Sequence, residues 1–126
     1  MIVFFLDQNS GVPAYLQIVQ QVKYAARMGM LQPGDQLPTV KEVAEQLAIN
    51  PNTVLKAYRE LDLQGLVETR RGLGTYLTQQ VAILQLSDHA ELRAALERWL
   101  QQAYLAGLNE EDITALFNSV IRFSPR

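Results

Sequence analysis

Asn52, Thr53 and Lys56 stand within one helical turn of each other, directly after Asn50-Pro51. Residues three and four apart share a helix face, so an amide, a hydroxyl and an ammonium would project together. An asparagine amide matches the donor and acceptor of an adenine edge, a threonine hydroxyl bonds a base or a phosphate, and lysine brings a point charge for phosphate. A helix start at this place adds free backbone N–H groups for an anion. Lys41 stands at another expected helix start, where the element ahead of a reading helix crosses the DNA backbone. Arg70-Arg71-Gly72-Leu73-Gly74 puts two guanidinium groups on a glycine-bearing loop, which suits phosphate or minor-groove insertion. The candidate DNA contacts are therefore Lys41, Asn52, Thr53, Lys56, Arg70, Arg71, Gly72 and Gly74. Two points stay open: Leu55 either touches a thymine methyl or completes the core, and Gly72 and Gly74 serve either the interface or only the hairpin.

Enzymatic chemistry finds no such constellation. His89 is the single histidine, falls among helix-start residues and is expected at the surface, without the companions a metal or an acid–base pair needs. Asp88 with Glu91, and Glu110-Glu111-Asp112, read as capping and dipole-complementing carboxylates. Gly72-Leu73-Gly74 is too short and wrongly placed for a phosphate loop opening a helix. With no cysteine, thiolate sites and disulfides are excluded. No enzymatic activity, cofactor or metal is expected.

Three helices must position the candidate contacts. After the turn residues Asp7 to Pro13, the residues Tyr15, Ile18, Val19, Val22, Ala25 and Ala26 recur at helical spacing, with Gln17, Gln20, Lys23 and Arg27 between them. Gln32-Pro33-Gly34-Asp35 ends that segment as a turn. Thr39 with Glu42 forms a capping-box pattern before Val40, Val43, Ala44 and Leu47. The break at Ala48-Ile49-Asn50 is followed by Asn50 as N-cap and Pro51 at the first helical position, then by the stripe Val54, Ala57, Tyr58 and Leu61. Gly65 stops this third helix. Leu66 to Arg70 and Thr75 to Thr78 then switch to strand-forming residues, giving a hairpin. Met1 to Leu6 is expected to be a short edge strand, and Val81 to Leu86 either a strand or the lead-in to a helix.

The sequence therefore predicts a mainly α fold with a small β-wing: a winged helix-turn-helix over residues 1–80, then a two-helix hairpin over 81–126. Ser87-Asp88 caps the first helix of that hairpin, lined by Leu92, Leu96, Trp99, Ala103 and Ala106; Asn109 caps the second, lined by Ile113, Leu116, Phe117, Val120 and Ile121. Such a pair cannot bury both apolar faces alone, so Leu92, Leu96, Trp99, Ala103, Ile113, Leu116, Phe117 and Val120 are expected to pair subunits. Trp99, Tyr104 and Phe117 read as packing aromatics, and a small-molecule effector between subunits stays undecided.

Length and charge set the bounds. At 126 residues the chain holds one domain and an appendage. Its net charge of -2 argues against a broadly basic surface, yet residues 1–80 balance seven Lys/Arg against seven Asp/Glu, leaving the acidic excess to residues 81–126. Any basic face must therefore be local, and a winged helix used for protein contacts is the alternative reading. The opening apolar run lacks a basic region and meets Asp7 at once, so no export signal, membrane span or membrane partner is expected, and the location is cytoplasmic.

These residues together resemble the GntR superfamily of bacterial transcription regulators. The matching motifs are Pro13-Ala-Tyr15-Leu-Gln-Ile18, Leu31-Gln-Pro33-Gly34-Asp35-Gln-Leu37-Pro38, Asn52-Thr53-Val54, Gly65-Leu66-Val67-Glu68 and Arg71-Gly72-Leu73-Gly74-Thr75, in register over about residues 11 to 78. The short helical tail and Asn50-Pro51-Asn52-Thr53 are similar to the YtrA-like subfamily. The resemblance implies a homodimeric repressor on an inverted-repeat operator, often of a transporter operon, with Lys41, Asn52, Thr53 and the wing around Arg70 to Gly74 at the double-stranded DNA. Where many relatives carry arginine, this chain has Lys41, Pro51 and Leu55, and lysine gives charge without the bidentate fork.

Overall fold

The computed structural model describes residues 2–125, and the side chain of Ser87 lies outside that description. Periodic apolar residues form α1 (Ala14–Arg27), α2 (Val40–Leu47) and α3 (Pro51–Leu63), followed by β1 (Val67–Arg70), β2 (Gly74–Leu77) and a short α4 (Val81–Leu84). Ile18, Val19, Val22, Val43, Val54, Ala57, Leu61, Val67, Leu77 and Val81 make one core. Each fully buried valine or leucine contributes roughly 1.5–3 kcal/mol of apolar burial.

Local signals place the helix ends. Thr39 Oγ1 accepts from the Glu42 N–H at 3.1 Å; the reciprocal bond from the Thr39 N–H to the Glu42 carboxylate is absent among the described residues, so half of the expected capping box forms. Ala48 closes α2 in the left-handed region at φ 54°, which turns the chain into α3. Asn50 Oδ1 accepts from the Asn52 N–H at 2.8 Å, with Pro51 at the first helical position as expected. At the other end the Gly65 N–H donates to Asp62 O at 2.9 Å and the Leu66 N–H to Leu61 O at 3.0 Å. This paired closure needs the positive φ of 76° that Gly65 supplies.

The hairpin is antiparallel, with Val67 opposite Leu77 and Arg70 opposite Gly74. Its strands begin one residue off the expected bounds because Leu66 completes the helix exit, while the Thr78 hydroxyl donates to the Gly65 carbonyl at 2.6 Å. A run not foreseen as extended, Gly34 to Leu37, lies along the other edge of β2: Gly34 N–H to Leu77 O, Leu77 N–H to Asp35 O and Leu37 N–H to Thr75 O are each 2.8 Å.

The expected N-terminal edge strand does not form over residues 2–6, and Met1 lies outside the described residues. Phe4 anchors the segment in the core, and the Gln21 amide takes the place of a strand partner: it accepts the Phe5 N–H at 3.1 Å and donates to the Phe5 carbonyl at 2.7 Å. Gln17, expected outside, is buried and does the same for Asp7, at 2.8 and 2.9 Å. A side-chain amide carries the donor and acceptor of a peptide group, so it satisfies backbone that no sheet reaches.

Val81 to Leu86, open in sequence, resolves as the helix α4 and its exit. Val81 is fully buried, Leu84 packs against the same core, and the Leu86 N–H reaches Arg27 O at 3.0 Å. The first compact unit runs to Asp88.

The second unit begins at His89 and is an α-hairpin of α5 (Ala90–Leu105) and α6 (Glu110–Phe123). The start of α5 differs from the expected cap at Ser87-Asp88: Ser87–His89 forms a 3-10 turn, and His89 takes the cap position without a side-chain bond. His89 is exposed, as read. Asn109 and Asp112 form a full capping box, at 2.8 and 3.0 Å. Within this unit Ala103 and Ile113 are buried and Trp99 is half-buried, while Leu92, Leu96, Ala106, Leu116, Phe117, Val120 and Ile121 are exposed. Among the described residues no helix is long and apolar enough to cross a membrane.

Candidate nucleic-acid interface

The core stripe of α3 turns Val54, Ala57, Tyr58 and Leu61 inward, which leaves Asn52 and Lys56 exposed and Thr53 half-buried at its front. These three line a shallow depression together with Asn50 and the start of α1, its N-cap Pro13 with Ala14 and Tyr15. Lys56 Nζ lies 4.1 Å from the centre of the Tyr15 ring. Asn50 is absorbed by its cap, as the sequence indicated. Lys41 is exposed on the first turn of α2. Among the described residues neither Lys41, Lys56 nor Arg71 forms an ion pair, so these cations have no carboxylate to displace.

The wing arginines differ. Arg71 is exposed in the loop, whereas Arg70 ends β1 with its guanidinium folded along the sheet: Nη2 is 2.9 Å and Nε 3.0 Å from Glu68 Oε1, and the group stacks 4.3 Å from the centre of the Tyr76 ring. Strand residues two apart share a face, and Tyr76 is the cross-strand neighbour of Glu68, so the three meet by register. Arg70 thus does not stand free at the turn as the sequence suggested. Gly72 is exposed at φ 77°, with open space where a side chain would project; Gly74, at φ 126°, would set a Cβ 2.6 Å from Gln36 Nε2. Both glycines stand at positive φ at the hairpin turn. Leu55 is half-buried and stands apart from the core and from the residues packed on it.

Sequence reasoning missed Tyr15 and Tyr76 as platforms for cations. Tyr15 was legible as part of an apolar stripe, but its lysine comes from α3. Tyr58 was likewise read as core; its hydroxyl donates to the Pro38 carbonyl at 2.6 Å, and burial, with the Glu42 charge second, pushes its phenol well above the ordinary range.

Three helices, a ribbon after the third and an exposed polar front on that third helix define a winged helix-turn-helix DNA-binding protein. Residues 14–77 match the family described as bacterial regulatory proteins, gntR family. The chain belongs to this family of transcription regulators, and so is not an enzyme. The HTH-type transcriptional repressor YtrA of Bacillus subtilis (strain 168) is 38% identical over 109 residues, 86% of this chain and 84% of the relative. A transcriptional regulator from Oenococcus oeni is similar in structure, with a TM-score of 0.57, 35% identity, and coverage of 92% of this chain and 97% of that one. AraR(DBD), solved in complex with operator ORX1, aligns with a TM-score of 0.55 at 26% identity over 60% of this chain and 96% of that chain.

Proposed function

We propose that the chain is a homodimeric cytoplasmic repressor that recognises an inverted-repeat operator. In this reading α3 enters the major groove with Asn52 and Thr53 toward base edges. Lys56, Lys41 and Arg71 address phosphates, and the wing lies along the flanking backbone or minor groove. The observation that carries it is the front of α3, where an amide, a hydroxyl and an unpaired ammonium are presented together beside the start of α1. The repressor name of YtrA and the operator-bound AraR(DBD) support the same direction. A transporter operon is the target that the likeness to the YtrA-like branch supports.

Pairing follows from the hairpin. Leu92, Leu96, Leu116, Phe117 and Val120 are exposed apolar residues on two amphipathic helices, and a second copy covers them symmetrically. Two-fold pairing sets the reading helices about one DNA turn apart, roughly 34 Å, and so calls for a pseudo-palindromic site.

Selection of bound sequences from a random duplex library tests the proposal: a pseudo-palindrome should be enriched, and a pool with no enriched sequence overturns it. In anisotropy titrations on the selected site, Lys41→Ala should weaken binding and lower the slope of log affinity against log salt by about 0.9 for each phosphate no longer neutralised.

A further inference from the structure

The depression in front of α3 is shared between two helices. Pro13, Ala14 and Tyr15 at the start of α1 form one wall, and Asn52, Thr53 and Lys56 of α3 the other. Tyr15 is half-buried and packs against the core, so folding of α1 fixes where its ring lies whatever the lysine does. Lys56 is exposed, and its Nζ rests 4.1 Å from the ring centre. A lysine on a helix surface otherwise sweeps many rotamers on its four-carbon stem. The negative face of an aromatic ring attracts the ammonium and narrows that range without neutralising its charge. A carboxylate partner would hold the cation too but would neutralise it, as Glu68 does for Arg70.

We infer that Tyr15 is a positioning residue for DNA binding: it holds the Lys56 ammonium at the α1 side of the depression, so that Lys56 meets a backbone phosphate and not a base edge. The inference rests on the proposed placement of α3 in the groove and adds a residue from outside the helix-turn-helix. A phosphate contact carries no sequence information, so losing Tyr15 lowers affinity for all sites alike, whereas removing a base-reading side chain changes the ranking of sites.

The test uses the full chain, the selected operator and a variant operator with one base pair changed in each half-site, titrated by anisotropy at several salt concentrations. Lys56→Met is expected to weaken binding and flatten the salt slope. Tyr15→Leu, which keeps the apolar packing but removes the ring, should weaken binding about two- to fivefold per site, by the same factor on both operators. Tyr15→Phe should restore the affinity that Tyr15→Leu forfeits, because the ring face and not the hydroxyl does the holding. In the Lys56→Met background Tyr15→Leu should cost nothing more, a coupling that a purely structural tyrosine would not show. Unchanged affinity in Tyr15→Leu, an equal loss with or without Lys56, or a Tyr15→Phe protein as weak as Tyr15→Leu overturns the inference while leaving α3 in place. An effectless Lys56→Met removes Lys56 from the interface and the inference with it.

Discussion

The Tyr58 hydroxyl and the Pro38 carbonyl are 2.6 Å apart and buried, which fastens the middle of α3 to the chain that leads into α2. The two helices of the reading motif are thereby held by a specific bond as well as by packing. Tyr58→Phe leaves the Pro38 carbonyl without its donor and should cost about 1–2 kcal/mol in urea unfolding. The phenol is also a pH probe. Its folded-state pKa is raised above the ordinary 10.0, so the contribution is fully present below about pH 10 and is lost as pH rises toward the folded value. Stability should fall by about 1.4 kcal/mol per pH unit above that point. Tyr58→Phe lacks this component, so comparing the two proteins' unfolding between about pH 9 and 11 checks the sign; parallel curves would refute it.

Glu68 restrains Arg70. Glu68→Gln removes the anion beside the guanidinium and a charge that repels phosphate, so operator affinity should rise severalfold and depend more steeply on salt. The exposed pair is worth less than about 1 kcal/mol to folding, so the thermal midpoint should hardly move. Titration of both proteins at low and high salt decides it, and equal affinities at both would place Arg70 away from the DNA.

Ala48 carries a φ of 54° at the break between α2 and α3. A left-handed alanine costs roughly 1–2 kcal/mol, and glycine gives back about 0.5–1 kcal/mol of that through its looser unfolded chain. Ala48→Gly should therefore stabilise the fold by about 0.5–1 kcal/mol, seen as a higher urea midpoint at unchanged m-value. A lower midpoint would show that this turn is not left-handed in solution.

Phe117 in α6 is 44% exposed and Leu96 in α5 50% exposed. A carboxylate at either place would have to be desolvated in a subunit contact. Phe117→Asp and Leu96→Asp should each give a monomer by light scattering, with operator affinity falling by orders of magnitude. The denaturant midpoint of the first unit should be kept. A dimer mass in both variants would move the pairing surface elsewhere.

Much of this architecture is legible from neighbours along the chain. Helical periodicity, the caps at Thr39, Asn50 and Asn109, and the stop at Gly65 all depend on atoms within a few residues of one another, so α1, α2, α3, the wing and the hairpin helices follow from sequence order. The polar front of α3 follows too, because an inward stripe of Val54, Ala57, Tyr58 and Leu61 forces Asn52 and Lys56 outward. What could not be read pairs groups distant in the chain. The Gln21 clamp on Phe5, the run of Gly34 to Leu37 beside β2, Val81 in the first core and the Tyr15 platform under Lys56 are of this kind. By itself the sequence determined α1, α2, α3, the hairpin helices and the polar front of α3, since those depend on local backbone preference and apolar spacing, but not α4 or the burial of Gln17. Only the tertiary structure decided which exposed cation is held and which is neutralised, because a side chain's partner is set by elements that meet in space and not by its neighbours in the chain.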